Sequence, residues 1–149
     1  RGILGMERLT EDLLARLLAS DSPQDYFDQD ETIDRQLSEY LVELLADRNI
    51  RRADVVRASG LNPTVVYDIF AGKSKPGRNN AIMLAFGLHA SLRETQRILR
   101  LAGVSELWPK VRRDAIIIWC INQGMSREAC DDELWNFEEK TLLGTSPLS

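Results

Sequence analysis

Between Arg52 and Gly72 the chain spells two short helices around a glycine elbow, and few arrangements accommodate that pattern. Gly60 reaches positive φ at negligible steric cost, so it ends the first helix where a side chain would be strained. Asn62 is a good N-cap for the second helix, and Pro63 suits its first position because the missing N–H would be unpaired there. Val55, Val56, Leu61, Val66, Ile69 and Phe70 are the apolar residues expected to lock the two helices together. Their spacing suits a steep crossing about a tight turn.

This stretch resembles the helix-turn-helix of the lambda-repressor-like, or XRE-type, family of DNA-binding proteins. Val55, Gly60, Leu61, Val66 and Ile69 stand at the family's core spacing, and Gly72, Lys73 and Pro76 match its Gly-Lys-x-x-Pro loop. The resemblance covers Leu37 to about Gly103, less than half of the 149 residues. It implies an all-α fold with a five-helix lambda-repressor-like domain over residues 35–103. It further implies a cytoplasmic transcriptional regulator that binds double-stranded DNA as a homodimer, on two half-sites about 34 Å apart. The second helix of the motif would lie in the major groove, with Asn62, Pro63, Thr64, Tyr67 and Asp68 at the base-reading positions. Arg51, Arg52, Lys73, Lys75 and Arg78 fall where such domains hold phosphates. The chain departs from the pattern at Arg52, where glutamine is frequent, and at Pro63, where some relatives carry a base-reading polar side chain. Val56 replaces a small residue and Ser59 an apolar one.

The charge distribution agrees with a polyanion-facing surface. The net charge is −4, yet residues 48–80 hold 7 basic and 2 acidic side chains. Residues 1–47 hold 4 basic and 12 acidic ones, and residues 81–149 hold 8 and 9. Positive charge is thus concentrated on the motif and the loop after it, within an otherwise acidic protein.

Taken in order, Thr10 with Glu11 and Asp12 reads as a helix start, followed by a face of Leu9, Leu13, Leu14, Leu17 and Leu18. That face is expected to pack on its own domain or on a second copy. Ser20 to Glu31, with Pro23 and five acidic residues, reads as a solvated linker, so residues 1–34 form an N-terminal arm. The arm is also a candidate gate over the basic face, and the arm and the C-terminal helices are the candidate surfaces for a regulatory protein partner. Leu37, Tyr40, Leu41, Leu44 and Leu45 make the stripe of a first core helix, starting as early as Ile33 and ending near Asn49. After the motif, Asn79 or Asn80 is expected to cap a helix over Ala81 to Gly87. Ser91 and Glu94 form a capping box for a helix that stops at Gly103. Residues 104–149 supply two extra helices packed on the domain, the first starting at Pro109. Its run from Ala115 to Ile121 is apolar on every face, which predicts full burial, since it is too short to cross a bilayer. The second runs from Ser126 through Phe137, and Thr141 to Ser149 reads as a loose tail.

An apolar content of 44% allows a real core. The start shows no secretory pattern, and Met6 is the expected natural first residue after a five-residue remnant. Cys120 and Cys130 are too few for a disulfide framework and lack zinc-like spacing, which fits a reducing compartment. His89, the single histidine, is expected to be structural, and Asp131-Asp132-Glu133 lacks metal-ligand spacing. Neither cofactor nor metal is expected, and an enzyme is the least favoured class. The alternative is a protein-interaction module, antitoxin- or adaptor-like, that keeps the helical fold without sequence-specific DNA binding. The net negative charge, Pro63, Asp68 and the acidic arm at residues 21–34 motivate it.

Overall fold

Leu37, Tyr40, Leu41, Leu44 and Leu45 recur three and four residues apart, and all five are buried along one side of α1 (Leu37–Arg48). They belong to a computed structural model that describes residues 14–22 and 36–147. The chain divides into two units, Arg1–Asp34 and Arg35–Ser149. Within the first, residues 14–19 are helical and Leu14, Leu17 and Leu18 are exposed. The expected cap at Thr10, most of the acidic linker and the start at Ile33 lie outside the described residues.

The second unit continues with α2 (Arg52–Ser59), α3 (Pro63–Phe70), α4 (Arg78–Gly87), α5 (Leu92–Leu101), α6 (Arg112–Asn122) and α7 (Arg127–Asn136). All described regular structure is helical, as the sequence patterns predict. No helix among the described residues is long and apolar enough to cross a membrane. Six of the seven described helices of this unit, all but α2, end by a shared device, in which a residue in left-handed conformation turns the chain and the next N–H reaches back into the last turn. In α3 this residue is Gly72, with φ of 77°, and the Lys73 N–H donates to the Asp68 carbonyl at 2.9 Å. Asn49, His89 and Glu138 do the same work for α1, α4 and α7 despite carrying side chains. His89 is therefore an exposed terminator, in keeping with a structural role.

The core is built around α4. Every residue from Ala81 to Leu88 is buried, because α2, α5 and α7 pack on it from different sides. The approach is close at Gly87, which faces Val55 and Ser59 of α2. On α5, the Ser91 hydroxyl accepts the Glu94 N–H at 3.2 Å while the Glu94 carboxylate accepts the Ser91 N–H at 2.8 Å. Glu94 also pairs with Arg48, joining the end of α1 to the start of α5. Burial would raise the Glu94 pKa, but the Ser91 N–H and the Arg48 charge outweigh it and hold the carboxyl below its usual range.

Two boundary expectations and one burial expectation are corrected. α4 starts at Arg78 with Gly77 as N-cap, not at Ala81 behind an asparagine cap. Its first turn is anchored instead by the Arg78 side chain, and Asn79 accepts a hydrogen bond from Arg113 at 3.1 Å. α6 starts at Arg112, not Pro109, because Asp114 draws the Trp108 N–H into a turn at 3.0 Å. The run from Ala115 to Ile121 is also not buried all round. Ile117 and Cys120 are buried, while Trp119 is 49% exposed, because α6 packs through one face on α5 and α7. The all-round buried helix is α4, whose Asn and Gly residues disguise it.

Candidate functional site

α2 opens on extended Arg51, whose N–H donates to the Asp54 carboxylate at 2.9 Å. This bond foremost holds the Asp54 pKa below its usual value, against a smaller opposing effect of desolvation and with help from the Arg51 and Arg57 charges. Asp54 also forms an ion pair with Arg57 and lies 3.5 Å from the Arg51 Nε. Arg51 is thus exposed but partly neutralised. The Arg52 guanidinium lies over the Phe70 ring, 5.6 Å from its centroid, and ties the start of α2 to the end of α3. Its hydrogen-bonding fork stays at the surface.

Gly60 turns the chain with φ of 79°, and Asn62 and Pro63 begin α3 as their residue types dictate. The Asn62 side chain accepts the Thr64 N–H at 2.8 Å and is therefore committed to capping. Val66, Ile69 and Phe70 point into the core. Pro63, Thr64 and Tyr67 point out, with Tyr67 47% exposed, and Asp68 is half-buried. Lys73 and Lys75 are exposed on the loop that the buried Pro76 pins down. Among the described residues, neither lysine has a carboxylate partner. Arg52, Lys73 and Lys75 are therefore three exposed cations at the C-terminal end of α3.

Arg78 does not join them. Its guanidinium turns inward and donates to the Ser105 and Glu106 carbonyls, both at 2.9 Å, and to both oxygens of Asp114 at 3.0 and 2.7 Å. Asp114 is buried, so this arginine is spent on holding the α5–α6 connection to the start of α4. Arg113 sits beside it and donates to the Lys140 and Thr141 carbonyls. Burial and the Arg78 charge lower its pKa from the usual arginine value. Nothing local in the sequence marks Arg113 or the Asp114–Arg78 pair, since the partners of Arg113 lie 27 to 34 positions away and Arg78 lies 36 from Asp114.

Other candidate chemistry is enclosed. Cys120 and Cys130 are both fully buried between α6 and α7, where their mutual hydrogen bond and burial push the Cys130 thiol up. Neither offers an accessible thiolate. No cluster of metal-ligating side chains occurs among the described residues. No family model matches the chain, and no curated protein or solved structure is significantly similar to it.

Proposed function

We propose that this protein is a DNA-binding regulator of lambda-repressor-like architecture that lays α3 in the major groove. The carrying observation is that Arg52, Lys73 and Lys75, exposed and without a carboxylate partner among the described residues, adjoin the end of α3, the helix whose Thr64 and Tyr67 point outward. Phosphates would be held by the three cations, and Thr64 and Tyr67 would meet base edges or the thymine methyl. Asn62 contributes through the cap, and Pro63 by shape alone. Asp68 is the least suited of the five, since a carboxylate near phosphates is repelled. Pairing into a homodimer is part of the proposal, with the exposed Trp119 and Trp135 of the C-terminal hairpin as the candidate contact.

The test is anisotropy of a labelled random-sequence duplex titrated at several salt concentrations. Three phosphate contacts give a log–log salt slope near −3, at about 0.9 per contact. The Lys73→Ala/Lys75→Ala variant should flatten the slope by about 2, and Arg52→Ala by about 1. Thr64→Ala and Tyr67→Ala should leave the slope alone and change sequence preference in a selection from random duplexes. Equal binding by wild type and the double lysine variant at low salt sinks the reading. The exposed tryptophans then favour the protein-interaction module instead.

A further inference from the structure

Arg127 occupies a place that simple rules disfavour. It is the first residue of α7, where a cation opposes the helix dipole, and it is 8% exposed. Its Nη1 donates to the Asp131 carboxylate at 2.7 Å, and Nη2 lies 3.9 Å from Glu128. Its Nε is buried with no partner. Asp131 uses its other oxygen to accept the Leu142 N–H at 2.7 Å. Such a buried pair with an unsatisfied donor is a poor source of stability.

Its position explains more than its energy does. The guanidinium lies flat on Gly60, the elbow between α2 and α3. A Cβ on that glycine would fall 3.0 Å from both Nε and Nη2 and 3.1 Å from Cζ. The planar group therefore fills the space that a side chain on the elbow would otherwise take. It is fixed there by Asp131, which is itself fixed by the segment after α7.

We propose that Arg127 is a positioning residue, and that the α6–α7 hairpin braces the elbow and sets the pose of α3 against α2. Its DNA consequence rests on the function proposed above, but the brace has a signature of its own. The Gly60 N–H donates to the Val56 carbonyl at 3.2 Å, and the Leu61 N–H donates to the Ser59 hydroxyl at 3.2 Å. Both amides report on the elbow directly.

The test uses Arg127→Met/Asp131→Asn in the full chain. Asparagine keeps an acceptor for the Leu142 N–H while both buried charges disappear, an exchange that tends to preserve stability. The expected result is a thermal midpoint close to wild type with Gly60 and Leu61 amides exchanging about tenfold faster. Duplex affinity should fall about tenfold with an unchanged salt slope, because no phosphate contact is removed. Unchanged exchange and chemical shifts at Gly60, Leu61 and Val66 in the folded double variant overturn the brace. Should that variant fail to fold, Arg127→Lys decides, since it keeps the charge and loses the plane: the same amides must respond. If wild type binds no duplex, the regulator reading falls while the exchange measurement still judges Arg127.

Discussion

Replacing Arg78 by methionine should lower the thermal midpoint by about 10 °C, the largest single effect expected for a side chain outside the apolar core. The guanidinium satisfies two carbonyls and both oxygens of Asp114, which is 3% exposed and also accepts the Trp108 N–H. Removing it leaves a carboxylate facing carbonyl oxygens in a water-poor site. Breaking a buried pair costs about 3–5 kcal/mol, and partial exposure of Arg78 brings the expectation to about 2–4. Asp114→Asn in the same background should recover part of the loss, because the stranded charge goes. Circular dichroism melts measure the stability arm, and the duplex titration measures the other. An Arg78→Met protein that melts like wild type but loses about one unit of salt slope would restore Arg78 to the phosphate set.

Gly87→Ala should destabilise by about 2 kcal/mol, opposite in sign to what helix propensity alone predicts. Alanine inside a helix normally gains about 1 kcal/mol over glycine. Here the new methyl would fall 2.9 Å from the Ser59 Cβ, 3.0 Å from the Val55 carbonyl oxygen and 3.1 Å from the Val55 Cγ1. One of the three is backbone, so no rotamer change relieves the overlap, and α2 must move away from α4. Ser59 also accepts the Leu61 N–H, so the displacement reaches the elbow. Urea denaturation of Gly87→Ala should show a lower midpoint with an unchanged slope, and adding Ser59→Gly should recover only part of it. A rise in stability would mean that the α2–α4 spacing is wider than described.

Much of this architecture is legible along the chain because its determinants are local. The leucine stripe of α1, the Asn62-Pro63 start of α3 and the Ser91–Glu94 box each involve residues within one or two helical turns. Arg78 shows where that legibility ends. In the sequence it is one more cation beside Lys73 and Lys75, and the groups that draw it inward, Ser105, Glu106 and Asp114, lie 27 to 36 positions on. Arg127 is hidden for the same reason, since its significance lies in touching Gly60. The exchange of roles between α4 and α6 has a different origin. Burial depends on how many neighbours a helix has, and an apolar run records only what a helix tolerates. Ala115 to Ile121 tolerates enclosure; Ala81 to Leu88 receives it.

All three tryptophans of the chain, Trp108, Trp119 and Trp135, lie on or just before the C-terminal hairpin and are about half exposed. The interior around α4 contains none. Indole emission excited at the red edge therefore reports on that hairpin and its immediate surroundings. Melting should move it further to the red as the half-covered indoles reach water. A shift toward the blue at rising protein concentration would instead announce a second molecule arriving on the aromatic side, with no label required.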